Sequence, residues 1–265
     1  MHAGAMNAVG MHALVTRPQP EADQTALLLR EMDVRVTMAP MLRILPVPPP
    51  AEESRVDDVQ AIVLTSANAA RALIQRPLGA HLMERDRPLF AVGEATAQAA
   101  RDAGFGRVEA AGGDVGALVA GLAGRLEPGR GAVIYPCGEH TARDLVSALA
   151  AVDLECRPVV VYTARPETRL PREAEQGLRE RRFDVVLFYS PRTAGIFADL
   201  VETYGLGGRL DRMVALCLSA AVAGRAQGLR WQGLEIAHRP DQEAMLDAVR
   251  RLAQERTAQP DDRPA

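Results

Sequence analysis

Hydroxyl, amide and arginine side chains recur in this chain directly after short apolar runs, where a strand would hand over to a helix. One group comprises Thr65-Ser66-Ala67-Asn68, Gly93-Glu94-Ala95-Thr96 and Gly138-Glu139-His140-Thr141. A second comprises Thr16-Arg17-Pro18, Ser190-Pro191-Arg192-Thr193 and Ser219-Ala220-Ala221. In open parallel sheets, ligands bind beyond the carboxyl ends of the strands, where helix N-termini present unpaired N–H groups. Arg17, Arg143 and Arg192 follow such ends directly or fall within the next helix's first turns, where a guanidinium can grip a carboxylate bidentately. Each feature also has a plain structural reading. Ser and Thr are favoured helix N-caps, worth ~1 kcal/mol, and an arginine on a first turn can simply be solvated. Repetition along both groups of strand ends is what points to an anion-binding rim. Tyr162 ends a further apolar run and has two readings, a packing residue or a hydroxyl facing a site.

The composition removes several chemistries. The chain contains no lysine, and all 31 basic side chains are arginine. A Schiff-base lysine, a pyridoxal-phosphate anchor and a Walker-type phosphate lysine are therefore excluded. Any polyanion must be held by arginine and backbone N–H groups. His2, His12, His81, His140 and His238 show no H-x-x-x-H or Cys-x-x-Cys partnership, so no metal site is expected. Cys137, Cys156 and Cys217 are far apart and odd in number, which suits buried thiols in a reducing cytoplasm. A Gly-x-Gly-x-x-Gly run after a strand is missing, which argues against a dinucleotide cofactor. The net charge of −3 argues against general nucleic-acid affinity. No apolar run approaches the roughly 20 residues that span a bilayer.

The elements that must position these residues follow from periodicity. β-rich runs at 12–16, 34–38, 61–65, 89–92, 107–110, 132–135, 158–162, 184–189, 213–218 and 234–237 alternate with segments of helical spacing such as 22–32, 67–75, 95–103 and 115–125. This predicts an α/β fold with parallel sheets flanked by helices. An internal repeat is also visible. Ala61-Ile62-Val63-Leu64-Thr65-Ser66 recurs as Val185-Val186-Leu187-Phe188-Tyr189-Ser190, and Phe90-Ala91-Val92-Gly93 as Leu216-Cys217-Leu218-Ser219, each followed by a helix. The run from Ala132 to Tyr162 instead resembles the run from Ala13 to Ala39, at the other end of the chain.

That circular relation predicts two similar lobes. Residues 45–162 form an inserted α/β lobe, and 1–44 plus 163–265 form a discontinuous one, joined by a two-strand hinge. The crossings fall near Met41–Pro48 and Val159–Arg165, the first stiffened by Pro46-Val47-Pro48-Pro49-Pro50. The expected site is the cleft between the lobes. A rival arrangement, two sequential domains, leaves the N-terminal βαβ unit without its sheet. The first ten residues read as a ragged leader without a secretory pattern, and the polar tail after Glu255 reads as disordered.

Taken in order, the residues resemble the uroporphyrinogen-III synthase family over roughly 12–252. The resemblance rests on Leu14-Val15-Thr16-Arg17-Pro18, Leu64-Thr65-Ser66 with Asn68, Val92-Gly93-x-x-Thr96-Ala97 followed by Gly104, Val161-Tyr162-x-Ala164, Phe188-Tyr189-Ser190-Pro191 and the run from Cys217 to Ala221. Each motif alone is weak, and their order and spacing carry the match. The resemblance implies a monomeric, cytoplasmic, cofactor-free lyase of haem biosynthesis. Its substrate would be hydroxymethylbilane, a small-molecule linear tetrapyrrole bearing eight carboxylates, with no nucleic-acid or membrane partner. Family members are thought to expel the terminal hydroxyl, giving an azafulvene, and to direct closure through a spiro intermediate that inverts ring D. Because an electron-rich pyrrole needs little acid–base help, the protein's task would be mainly orientation.

By the same resemblance, Tyr162 matches the hinge tyrosine proposed to assist departure of the hydroxyl, and is the expected catalytic residue. Thr96, Ser66 and Ser190 match substrate-facing positions, and backbone N–H groups near Ala67, Gly138 and Ser219 would hold acetate and propionate groups. With Arg17, Asn68, Arg143 and Arg192 they complete the expected substrate-binding set. Val222 departs from the family pattern, standing where some members place a second threonine; Ser219 or Arg192 would substitute. The alternative from another class is a two-lobed small-anion binding or sensor protein without catalysis. A two-domain glycosyltransferase is weakened by the missing nucleotide motif.

Overall fold

The computed structural model describes residues 10–50, 57–112, 114–139 and 143–258. In chain order the first elements are β1 (His12–Val15), α1 (Glu21–Arg30), β2 (Arg35–Met38), β3 (Leu42–Pro46), β4 (Val59–Leu64), α2 (Ala67–Leu73) and α3 (Pro77–Glu84). Then come β5 (Leu89–Ala91), α4 (Glu94–Asp102), β6 (Val108–Ala110), α5 (Val115–Ala123), β7 (Ala132–Gly138), α6 (Arg143–Ala150) and β8 (Cys156–Pro166). The last are α7 (Arg172–Arg179), β9 (Val185–Phe188), α8 (Pro191–Thr203), β10 (Val214–Cys217), α9 (Ala220–Ala226), β11 (Gly233–Ile236) and α10 (Gln242–Ala258). They fall into two compact units, Met1–Arg43 with Arg165–Ala265, and Ile44–Ala164.

The first unit holds a five-stranded sheet in the order β11-β10-β9-β1-β2, all parallel. Its central strands read as unbroken apolar runs because both faces are covered. Along β1 and β9, alternate residues feed opposite cores. Leu14, Val186 and Phe188 pack with α8 and α9 residues such as Phe197 and Ala223. Ala13, Val15, Val185 and Leu187 pack with α1 and α10 residues such as Leu29, Met245 and Val249. Phe188, Phe197 and Trp231 meet ring to ring, with centroids 5.3 to 6.2 Å apart.

The second unit holds a six-stranded sheet, β3-β8-β7-β4-β5-β6. Its order from β8 to β6 repeats the order from β2 to β11, with β4 in the place of β9 and β7 in the place of β1. Ile62 and Leu64 feed the core under α2 and α4, while Ala61 and Val63 feed the core under α5 and α6. β3 is the added edge strand. Val47 N–H bonds to Val161 C=O and Glu167 N–H to Met41 C=O, so β3 and β8 run antiparallel.

Several expectations need adjustment. The polar tail does not begin at Glu255, because α10 continues to Ala258, with Arg256 paired to Asp184. Cys156 is only half-buried, although Cys137 and Cys217 are buried as expected. The leader at 1–9, together with His140 and Thr141, lies outside the described residues.

Candidate active site at the strand ends

In the Ile44–Ala164 unit, β4 ends at Leu64 and Ser66 takes extended backbone angles as the N-cap of α2. Its Oγ accepts from Asn68 N–H at 3.2 Å and from the Tyr162 hydroxyl at 3.3 Å. A serine oxygen has two acceptor positions and one proton. With both acceptor positions engaged, the Ser66 O–H is left without an acceptor among the described residues. Ala67 opens the helix behind it, and Asn68 Oδ1 accepts from Arg71 at 3.0 Å. One residue earlier, the Thr65 hydroxyl bonds to the buried Tyr135 phenol at 2.9 Å.

Tyr162 reaches this rim because β8 contains an irregularity. Cys137 pairs with Val160 but Gly138 pairs with Tyr162, so one residue of β8 is extra. Such a bulge re-aims the side chain that follows it. The ring of Tyr162, 7 % exposed, then lies where a side chain on residue 138 would stand. A Cβ on Gly138 would come within 2.8 Å of the tyrosine Cζ. Glycine is required there by close approach. Beyond it, Glu139 N–H bonds to Tyr162 C=O at 3.1 Å, and its carboxylate accepts from Thr163 at 2.8 Å.

Thr96 lies in the first turn of α4 and is 7 % exposed. Its hydroxyl has no hydrogen-bond partner among the described residues. Arg143 is the first residue of α6, as the spacing suggests.

In the unit built from the chain ends, Ser190 caps α8 through Thr193 N–H at 3.1 Å, and its Oγ also lies 2.7 Å from the Thr193 hydroxyl. Arg192 is exposed on the first turn of the same helix. Ser219 is the N-cap of α9 but makes no side-chain cap bond. Val222 is buried against Phe188 and its neighbours, so it offers the site nothing polar. Thr16 is fully buried and donates to Leu187 C=O at 2.7 Å, a structural role and not the ligand-facing one its strand-end position suggested.

Arg17 is half-buried. Its Nη1 donates to Gln242 Oε1 at 2.8 Å and Thr25 Oγ1 at 3.2 Å, and its Cζ stands 4.1 Å from the centre of the Tyr189 ring. Burial, opposed by the Arg17 charge, pushes the Tyr189 phenol above its ordinary range. Sequence reasoning missed Tyr189, Gln242 and Tyr135. The available signal was position. Tyr189 precedes Ser190 as Thr65 precedes Ser66, and alternation sends both to the sheet face opposite the following helix.

The structure therefore assembles Ser66, Ala67, Asn68, Gly138 and Tyr162 around one strand end, and places Arg17 on a separate rim in the other unit. The thiols are poor nucleophiles, since burial pushes Cys156 and Cys217 up to about 12 and raises Cys137. Among the described residues, no group of three or more His, Cys, Asp or Glu could hold a metal ion.

Solved structures share this fold. A uroporphyrinogen-III synthetase from Helicobacter pylori aligns over 91 % of this chain and 99 % of its own, at 19 % identity and a TM-score of 0.62. A mutant uroporphyrinogen III synthase from the extremely thermophilic bacterium Thermus thermophilus aligns over 92 % and 99 %, at 19 % identity and a TM-score of 0.54. Among curated proteins, none matches the chain. A family model described as uroporphyrinogen-III synthase HemD matches residues 23–247, which is most of the chain. The order of motifs along the sequence, the repeated sheet and this match lead to one conclusion: the chain belongs to the uroporphyrinogen-III synthase family.

Proposed function

We propose that Tyr162 is the catalytic residue through which this chain carries out its family's reaction, and that Ser66 works beside it. As a uroporphyrinogen-III synthase, the protein is a cyclising lyase of tetrapyrrole biosynthesis. It closes hydroxymethylbilane to uroporphyrinogen III and water, with ring D inverted. The carrying observation is the Tyr162–Ser66 pair, with the tyrosine hydroxyl 3.3 Å from the serine oxygen and the ring seated against Gly138. Loss of the substrate hydroxyl as water requires a proton at the leaving oxygen. The Tyr162 O–H, now spent on Ser66, can turn to that oxygen, and the Ser66 O–H can donate to a second acceptor of the same ligand. The pyrrole nitrogen supplies the electron pair that expels the oxygen, so the chain's contribution is hydrogen bonding and orientation.

Thr96, whose hydroxyl makes no hydrogen bond among the described residues, and the set Arg17, Ala67, Asn68, Gly138, Arg143, Ser190, Arg192 and Ser219 fit binding of the acetate and propionate groups. The non-catalytic anion-binding alternative is not favoured by the family. We further read the protein as a cytoplasmic monomer that acts without a cofactor and binds neither nucleic acid nor membrane. The free cysteines and the net charge of −3 support that reading. No helix among the described residues is long and apolar enough to cross a membrane.

The test is product analysis. Purified protein mixed with freshly made hydroxymethylbilane is expected to yield the type III isomer in excess of the type I isomer that forms unaided. Type I alone would overturn the assignment for this chain.

A further inference from the structure

Four separate stretches of chain meet around Arg17. It follows β1, Tyr189 follows β9, and these strands are parallel neighbours, so both residues stand at the carboxyl edge of the sheet. Thr25 comes from α1 and Gln242 from the start of α10. One guanidinium nitrogen, Nη1, is held by Thr25 and Gln242, and the flat face lies over the Tyr189 ring.

What the cluster lacks is an anion. Arginines elsewhere in this unit pair with carboxylates, among them Arg251 with Glu235 and Arg181 with Asp211. Arg17 has no carboxylate within ion-pair distance among the described residues, and its Nε and Nη2 make no hydrogen bond of good geometry there. A half-buried cation without a counter-ion is costly. The surroundings add to that cost. Gln242 Nε2 is buried without a partner because its Oε1 is committed to Arg17, and the Tyr189 hydroxyl lies buried beside Thr25, Gln242 and Arg17 without a hydrogen bond of good geometry. These groups are arranged around the guanidinium at their own expense. The Nε–Nη2 edge left open is the fork that matches a carboxylate.

We propose that Thr25, Gln242 and Tyr189 are positioning residues that hold Arg17 as a receptor for one carboxylate of the substrate. The proposal rests on the reading of that substrate as a polycarboxylate tetrapyrrole. Tyr189 fixes the plane of the guanidinium, and Gln242 and Thr25 fix its rotation within that plane. Without them a long side chain would sample many rotamers, and each binding event would bear the entropy of ordering it.

The test uses uroporphyrin III, a fluorescent octacarboxylate, titrated into the full-length protein, alongside steady-state kinetics with hydroxymethylbilane. Arg17→Gln is expected to weaken uroporphyrin binding by about tenfold, as loss of a charge-assisted pair does. Tyr189→Leu and Gln242→Leu should each weaken it several-fold and raise KM in parallel, with kcat little changed. Tyr189→Phe keeps the ring face and should retain most of the affinity. Thermal melts confirm that each variant is folded, and if Tyr189→Leu does not fold, Gln242→Leu carries the test. Wild-type affinity in Arg17→Gln overturns the carboxylate receptor. Weak binding in Arg17→Gln but not in the leucine variants overturns the positioning role, and Tyr189→Phe as weak as Tyr189→Leu overturns the stacking. A wild-type protein that binds uroporphyrin without forming type III product would refute the enzymatic reading and leave the receptor standing.

Discussion

At the scale of single residues, the tyrosine at the β8 bulge and a buried histidine make separate demands. Tyr162→Phe removes the hydroxyl while keeping the ring against Gly138, so positioning of the strand is preserved. Turnover is expected to fall by ~10 to 100-fold with KM little changed, the pattern of a group that helps a leaving oxygen depart. Unchanged kcat in a steady-state assay would assign the residue to packing. Gly138→Ala should lose activity as well, by pushing the ring off the site. His12 opens β1, at the end of the strand away from the carboxyl edge. Its Nε2 donates to Thr37, whose hydroxyl donates on to Glu173, and its Nδ1 is buried without a partner. Protonation would bury an unsatisfied N–H. Burial first and the Arg35 charge second hold its pKa below the ordinary 6.5; Arg182 acts in the same direction, and Asp184 and Glu173 oppose it. The unfolded chain then binds the proton more readily than the native one. Stability is complete above about pH 6.5 and is lost as pH falls through the lowered native value. Denaturant melts at pH 7.5 and 5.5 should therefore show a larger acid loss in the wild type than in His12→Gln, and equal losses would remove His12 from the account.

Among the elements, serines at equivalent strand ends have different jobs. Ser190 caps α8 through Thr193 N–H, whereas Ser219 opens α9 with its hydroxyl unused. Ser190→Ala is expected to cost about 1 kcal/mol of stability, and Ser219→Ala almost none. If Ser219 contacts substrate, its loss should appear in KM instead, so a melt and a KM on the same pair of proteins separate cap from ligand group. The sequence made the strand-end positions legible but not this division, because Ser is both the preferred cap and a natural ligand group. Element identity was legible for the same local reasons, apolar runs of period two or none against helical spacing. α3 was not named from spacing, since Pro77 and Gly79 look like breakers. In the fold Pro77 opens the helix, where its missing N–H costs nothing, and Gly79 lies where a Cβ would collide with the Leu73 carbonyl. The β8 bulge was likewise invisible, because it depends on register with β7. The Arg17 cluster joins positions 17, 25, 189 and 242, and only the folded sheet brings α10 back to β1.

For the whole molecule, the internal repeat is legible in the sequence, and the two sheets follow it strand for strand, with β3 as the addition. The whole chain also carries a chemical constraint, the absence of lysine. A polycarboxylate bound by this protein meets guanidinium groups beside hydroxyl, amide and N–H dipoles, so its charge pairing depends on arginine and on no ammonium side chain. Guanidinium groups keep their charge throughout the pH range in which ammonium side chains titrate. Substrate affinity should consequently weaken with added salt, as screened charge pairs do, yet hold steady through the alkaline range in which lysine sites lose their protons. Covalent modification separates the two kinds of cation directly. Acylation with an amine-selective ester finds no lysine and should leave type III formation intact, whereas an arginine-selective dicarbonyl should abolish it, with uroporphyrin III protecting the arginines it covers. Peptide mapping of the protected sites would show whether Arg17 is among them. Inactivation by the dicarbonyl without protection would mean that arginine supports the fold and not the ligand, and loss of activity on amine acylation would contradict the inference drawn from composition.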